Sequence, residues 1–265
     1  MIITDFENID YSKYKRVFVF GCSFTNYMWP TWADILVKQM PNAEYYNLAM
    51  SGAGNPYITQ KILENNLFHK FNSDDLVLVM YSTYCREDRY INNGWVNPGN
   101  IFTCGFYDED FIKKYSDTRG YLIRDITLIE FASIYLESLP CDTVQLLSVP
   151  WDYQTIEYDV TDILKTYSKT TERFKTTLFE MNGKEFVCGH HYYWDAQSKT
   201  EKFGDYHPNT LMYYYILKKM GFNLSTEVFK YSAEVTYALK QCNTRVEFEM
   251  TGAPYIPKRM TGPAL

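Results

Sequence analysis

The run Asp75–Tyr81, DLVLVMY, limits what this chain can fold into more than any other stretch. After its opening aspartate it is uncharged and apolar for the length of a strand, and it is too short for an ordinary helix. A strand that is apolar on both faces needs cover on both faces, and a parallel sheet between two helix layers supplies it. Residues 16–20 (RVFVF), 44–49 (EYYNLA) and 143–149 (TVQLLSV) read as companion strands. Helical spacing fills the intervals. It runs through residues 30–40 after Pro30, residues 57–68 with Ile58, Ile62, Leu63 and Leu67 on one side, and residues 118–139 with Leu122, Ile126, Ile129 and Leu136. A last helix at residues 209–220 stops at Gly221. This alternation predicts a doubly wound α/β fold with right-handed crossovers.

Two segments break the pattern. Residues 84–118 and 151–205 carry no sustained period and read as long insertions, the second with a helix at 160–167. A domain over residues 1–222 is then followed by an extension, residues 223–265. In it Val246, Phe248 and Met250 alternate as in an edge strand or hairpin arm, and the Pro- and Gly-rich tail should be extended.

Composition narrows the functional class. The net charge is −6 and no block of Lys and Arg stands out, which argues against a nucleic-acid groove. No apolar stretch approaches the roughly 20 residues that span a bilayer. The first residues are acidic and lack an apolar core of the secretory type, so the expectation is a soluble chain without a signal peptide, cytoplasmic or virion-associated. The 6 cysteines form no Cys-x-x-Cys pair and read as reduced thiols. With 25 tyrosines the chain is rich in a side chain that suits carbohydrate surfaces and interfaces as well as cores.

The chemistry centres on residues 16–25, RVFVFGCSFT, where a strand stops at Gly21 and delivers Ser23 into a turn. Such a turn presents a hydroxyl above a parallel sheet. Adjacent side chains at a strand end point in different directions, so only one of Cys22 and Ser23 can face a base; a buried structural thiol is the ordinary reading of Cys22. Residues 204–209, GDYHPN, place Asp205 two positions before His207, with Pro208 opening a helix. The carboxylate can hold one imidazole nitrogen and aim the other at a hydroxyl. In the plainer reading Asp205 and Asn209 are turn and cap residues. The cluster Cys188, His190, His191 and Asp195 matches no zinc spacing, so no metal is expected.

Taken together, GCSFT, NLAMSGAGN and GDYHPN resemble the first, second and last sequence blocks of the SGNH hydrolases, the GDSL esterase/lipase family, over roughly residues 16–220. The resemblance implies a three-layer α/β/α sandwich with a flavodoxin-like parallel sheet, here with long loop insertions. It implies Ser23 as nucleophile, His207 as base and Asp205 as its acid, with the N–H groups of Ser23 and Gly52 forming the oxyanion hole. Two departures stand out. One residue, not two, separates Asp205 from His207, and the segment after the third strand, MYSTYCRED, lacks the family's asparagine. Asn55 is the favoured substitute donor and Thr83 the other candidate.

The expected reaction is therefore acyl transfer from an ester to water through an acyl-enzyme, with no cofactor. Tyr84, Arg86 and Trp95 in one insertion, and Tyr192, Trp194 and Tyr206 around the other, suggest a surface for sugar rings and an O-acetylated glycan as substrate. These aromatics equally suit packing of the insertions. The alternative is a catalytically weak or inactive member of the fold that binds glycan or serves as a structural subunit of a viral or surface assembly, with the C-terminal tail docked on a protein partner or a second copy.

Overall fold

The structure is a computed structural model that describes residues 1–152, 159–174, 176–181, 193–194, 202–203, 207–242 and 244–260. Its first half contains β1 (Arg16–Phe20), α1 (Trp32–Val37), β2 (Glu44–Asn47), α2 (Asn55–His69), β3 (Asp75–Tyr81), a hairpin of β4 (Arg89–Ile91) and β5 (Gly94–Val96), α3 (Glu109–Tyr115), α4 (Thr118–Glu137) and β6 (Asp142–Leu147). The second half holds α5 (Thr161–Thr166), α6 (Ser168–Thr171), α7 (Leu178–Met181), the short pair β7 (Tyr193–Trp194) and β8 (Lys202–Phe203), α8 (Thr210–Lys219), α9 (Thr226–Leu239) and α10 (Arg245–Gly252).

Strands β2, β1, β3 and β6 hydrogen-bond in that order, all parallel, with Phe18 in register with Tyr46 and Val77. Because side chains alternate across a strand, one apolar run feeds two cores. Val17, Val19, Leu76, Leu78, Val144 and Leu146 pack with Ile35 and Leu36 of α1 and with Tyr213, Ile216 and Leu217 of α8. Phe18, Phe20, Val77, Val79 and Tyr81 pack with Ile58 and Ile62 of α2 and with Leu122, Ile126 and Ile129 of α4. The result is a three-layer α/β/α sandwich. Each fully buried aliphatic side chain contributes roughly 1.5–3 kcal/mol through area removed from water. At the opposite end of the sheet from Ser23, Arg16 grips the buried Asp75 through two bonds of 2.7 Å, which accounts for the one charge that opens DLVLVMY.

The insertion after β3 is more ordered than its sequence suggests. Asn92 and Asn93 both have positive φ (51° and 64°), the requirement of a tight primed hairpin turn, and Asp108 caps α3 by accepting from the Phe111 N–H at 2.7 Å. Arg124 of α4 then fastens the insertion to the domain by donating to the Arg86 carbonyl at 2.8 Å.

The C-terminal extension corrects one expectation. Residues 245–252 form helix α10 and not a strand, because Thr244 and Glu247 make a reciprocal capping box. Phe248 is buried (2% exposed) while Val246 and Met250 face solvent (62% and 72%), so their alternation carries no sheet signal. The tail, through Met260, lies on its own domain, where the Met260 N–H donates to the Tyr45 carbonyl at 2.7 Å beside β2. That bond ties the segment to its own domain; residues 261–265 lie outside the described residues.

Candidate active site

The carboxyl ends of β1, β2 and β3 form one edge of the sheet, the place where open parallel sheets bind ligands. There the chain leaves β1 in a tight turn, with the N–H groups of Thr25 and Asn26 both donating to the Cys22 carbonyl at 2.9 and 3.0 Å. Ser23 is at the crest of this turn, 8% exposed, while Cys22 is buried in the core and carries the structural role expected of it. Gly21 is required for the turn. A Cβ at this position would stand 2.2 Å from Thr25 Oγ1, which is itself held by the Trp32 indole N–H at 3.1 Å. Gly21→Ala is therefore expected to displace the Ser23 turn and cost roughly 1–3 kcal/mol as an overpacking change. A thermal melt with Ser23 activity measured alongside checks it, and an unchanged melting temperature would contradict it.

His207 is brought to this turn by the loop that follows Ser23. Its ring stacks on Tyr27 with centroids 3.8 Å apart and an 18° tilt, and meets the Phe24 ring at 4.9 Å. The loop fastens the backbone beyond His207 as well. The Trp29 indole donates to the Pro208 carbonyl at 2.9 Å, the Thr210 hydroxyl donates to the Pro30 carbonyl at 2.9 Å, and the Tyr213 hydroxyl donates to the Phe24 carbonyl at 3.0 Å. Asn209 caps α8 by accepting from the Met212 N–H at 2.9 Å, so the plainer reading of this residue is correct. Tyr27 and Trp29 were not singled out by sequence reasoning. Their nearness to Ser23 in the chain was the available signal. Asp205, Tyr206 and Tyr192 lie outside the described residues, as do the Trp194 side chain and the cluster Cys188, His190, His191 and Asp195.

Candidate oxyanion donors gather across the same edge. The Met50 N–H donates to the Gly21 carbonyl at 3.2 Å, which brings the turn at residues 50–53 beside the Ser23 turn. Gly52 has φ +81°, and a Cβ there would lie 2.2 Å from the Asn97 carbonyl oxygen, so only glycine fits. Among the described residues, no acceptor is recorded for the backbone N–H of Ser23 or of Gly52. Asn55 does not supply the third donor. Its side chain is fully buried, and both amide protons are committed, to the Ser82 carbonyl at 3.0 Å and to Asp125 Oδ2 at 2.9 Å, while its oxygen accepts from the Ser82 N–H at 2.8 Å. This corrects the expectation drawn from its nearness to Gly52. Thr83 Oγ1, by contrast, is buried and without a hydrogen-bond partner among the described residues.

The aromatic candidates divide. Tyr84 is 2% exposed and part of the core, so it is a packing residue and not a binding surface. Arg86 donates to the Ala53 carbonyl at 2.8 Å and braces the glycine turn. Trp95 is half-buried between Tyr57 and Tyr90, edge-on to both at 5.3 and 5.8 Å. Nearby, Asp88 accepts from the N–H groups of Gly54 and Tyr57 at 3.0 Å and caps α2, and burial holds its carboxyl above the usual range. Among the described residues, no group of three His, Cys, Asp or Glu side chains is placed to hold a metal, and no helix is long and apolar enough to cross a membrane.

No protein-family model matches this chain, and no curated protein matches it. Among solved structures it is similar to a member of the lipolytic protein G-D-S-L family from Veillonella parvula, at 15% identity and a TM-score of 0.41, over 77% of this chain and 94% of that one. It is similar to protein YXIM from Bacillus subtilis, at 14% identity and a TM-score of 0.43, over 81% of this chain and 59% of that one. A GDSL-like lipase from Bacteroides thetaiotaomicron aligns at 14% identity and a TM-score of 0.34, over 78% and 85% of the two chains. At these identities, function rests on the chain's own residues.

Proposed function

We propose that the chain is a serine ester hydrolase of the SGNH type acting on O-acetylated carbohydrate. The observation that supports it most is the clamp of Phe24 and Tyr27 on His207, which brings an imidazole to the turn that carries Ser23. In this reading His207 takes the hydroxyl proton as Ser23 Oγ attacks the ester carbonyl, and Asp205 holds the imidazole from its other side. The N–H groups of Ser23 and Gly52 receive the oxyanion, and the Thr83 hydroxyl replaces Asn55 as third donor. The sugar alcohol leaves with the proton from His207. Water, deprotonated by His207, then cleaves the acyl-enzyme to acetate and restores Ser23.

Acetylated sugar is the favoured substrate because exposed and half-exposed aromatics, Tyr90 and Trp95, are carried on the hairpin whose continuation at Asn97 abuts the Gly52 turn. Trp194 and Tyr192 of the second insertion, and Tyr206 just after it, are proposed to bind the same substrate. One observation favours the other reading, a glycan-binding or structural subunit with little activity: the Asn55 amide is fully committed and cannot donate to the oxyanion. Incubation with acetylated xylan, followed by acetate assay, separates the two. Release by the wild type and none by Ser23→Ala supports the hydrolase. Binding of the polysaccharide without release by either protein would support the silent subunit.

A further inference from the structure

Near the end of the described chain, the Arg259 side chain reaches the Ser23 turn and helix α1. Arg259 Nη1 donates to Asn26 Oδ1 at 2.8 Å, and Nη2 donates to Asp34 Oδ1 at 3.3 Å. Asp34 is fully buried in α1, where its carboxylate also accepts from the Thr31 N–H at 2.9 Å and from the Tyr45 hydroxyl at 2.9 Å. A carboxylate at that depth needs a cation, and among the described residues Arg259 is the cation recorded against it.

The consequence for the site runs through Asn26. An arginine can only donate, so the amide oxygen of Asn26 must face Arg259 and its NH₂ must face the other way. There Nδ2 donates to the Ala49 carbonyl at 2.8 Å. Asn26 itself closes the Ser23 turn through its N–H on the Cys22 carbonyl, and Ala49 leads into the turn that ends at Gly52. The Asn26–Ala49 and Met50–Gly21 bonds, together with Asn47 Nδ2 donating to the Thr25 carbonyl at 3.1 Å, thus help set the spacing between the Ser23 and Gly52 N–H groups.

We propose that Arg259 is a positioning residue: it orients the Asn26 amide and thereby locks the nucleophile turn to the glycine turn, making the C-terminal tail part of the catalytic apparatus. This rests on the hydrolase reading for its effect on rate but not for its effect on the two loops. Asn26→Asp keeps an acceptor for Arg259 but loses the donor to Ala49, so it separates positioning from stability. Arg259→Met removes the whole latch, and Arg259→Lys keeps the charge without the two-pronged geometry.

The experiment measures two quantities on the full chain. Amide hydrogen exchange is followed in peptides covering residues 21–26 and 49–52, and the labelling rate of Ser23 by a fluorophosphonate is measured under the same conditions. The expected result is faster exchange in both peptides for Asn26→Asp and Arg259→Met. Labelling is expected to slow about tenfold or more in both, as for a lost or misplaced oxyanion donor, with partial recovery in Arg259→Lys. Asn26→Asp should do this with its melting temperature near the wild-type value. Exchange unchanged in the 49–52 peptide of both variants would overturn the latch, whatever the labelling shows. A wild type that never labels, with exchange still accelerated in the variants, would leave the latch standing and count against the hydrolase reading.

Discussion

His207→Gln is expected to lower kcat for ester hydrolysis by roughly 10³–10⁴-fold with little change in KM, because a general base acts in the transition state and not in substrate binding. The fold should be indifferent to the exchange. The segment is held by Trp29 on the Pro208 carbonyl, by Thr210 on the Pro30 carbonyl and by the Asn209 cap, none of which uses the imidazole. Steady-state kinetics on p-nitrophenyl acetate, with a thermal melt of the same sample, read both quantities. A loss of activity matched by a collapse of the melting temperature would point to a packing role for His207 on Tyr27.

The largest effect on stability is expected at Asp125. Its carboxylate is buried in α4 and accepts from Arg124 Nε at 2.7 Å and from Asn55 Nδ2 at 2.9 Å. Asp125→Ala leaves an Asn55 amide proton unpaired in the core and takes one acceptor from Arg124, which keeps the Arg86 carbonyl and Glu87; the unsatisfied donor and the lost charge-assisted bond together cost about 3–5 kcal/mol. For a chain of this size that lowers the melting temperature by about 10 °C. The loss also has a pH signature. Burial, partly offset by Arg124, raises the Asp125 pKa from 3.8 to about 6. The folded protein therefore holds this proton more tightly than the unfolded chain between about pH 4 and pH 6. The group's contribution to stability falls as pH rises through that window, by up to about 3 kcal/mol, and levels off above it. The gap between wild type and Asp125→Ala should accordingly be widest near pH 4 and narrow toward pH 7. Urea denaturation at a series of pH values checks the sign, and a gap that widens with pH would refute it.

Much of the fold was legible because the information lay within single strands. DLVLVMY and RVFVF are apolar on both faces, and such runs have one comfortable environment, the middle of a parallel sheet between helices. The helix of residues 245–252 was misread from Val246, Phe248 and Met250, two of which are exposed. The better signal was Thr244 three residues before Glu247, a local hydrogen-bonding motif independent of burial. The hairpin in the first insertion was likewise announced by Asn92, Asn93 and Gly94, residues that tolerate positive φ.

At the site, legibility followed the same rule. Ser23 was singled out because a turn after a strand leaves a mark in the nearby sequence, and Gly52 because of the resemblance carried by SGAGN; the structure brings the two turns side by side through the Met50 N–H on the Gly21 carbonyl. Asn55 was misassigned because its partners are elsewhere. Its amide is consumed by Ser82, and by Asp125 seventy residues on, pairings that no spacing rule contains. Arg259 was invisible for the same reason, since its meaning depends on Asp34 and Asn26 across more than two hundred residues of chain.

Activation of Ser23 by His207 is tested most directly by mapping a fluorophosphonate adduct by mass spectrometry on wild type and on His207→Gln. The expected result is one adduct on the peptide containing Ser23 in the wild type, absent from Ser23→Ala and formed far more slowly in His207→Gln. An adduct elsewhere, no adduct on the folded wild type, or equal labelling rates with and without the imidazole would contradict it.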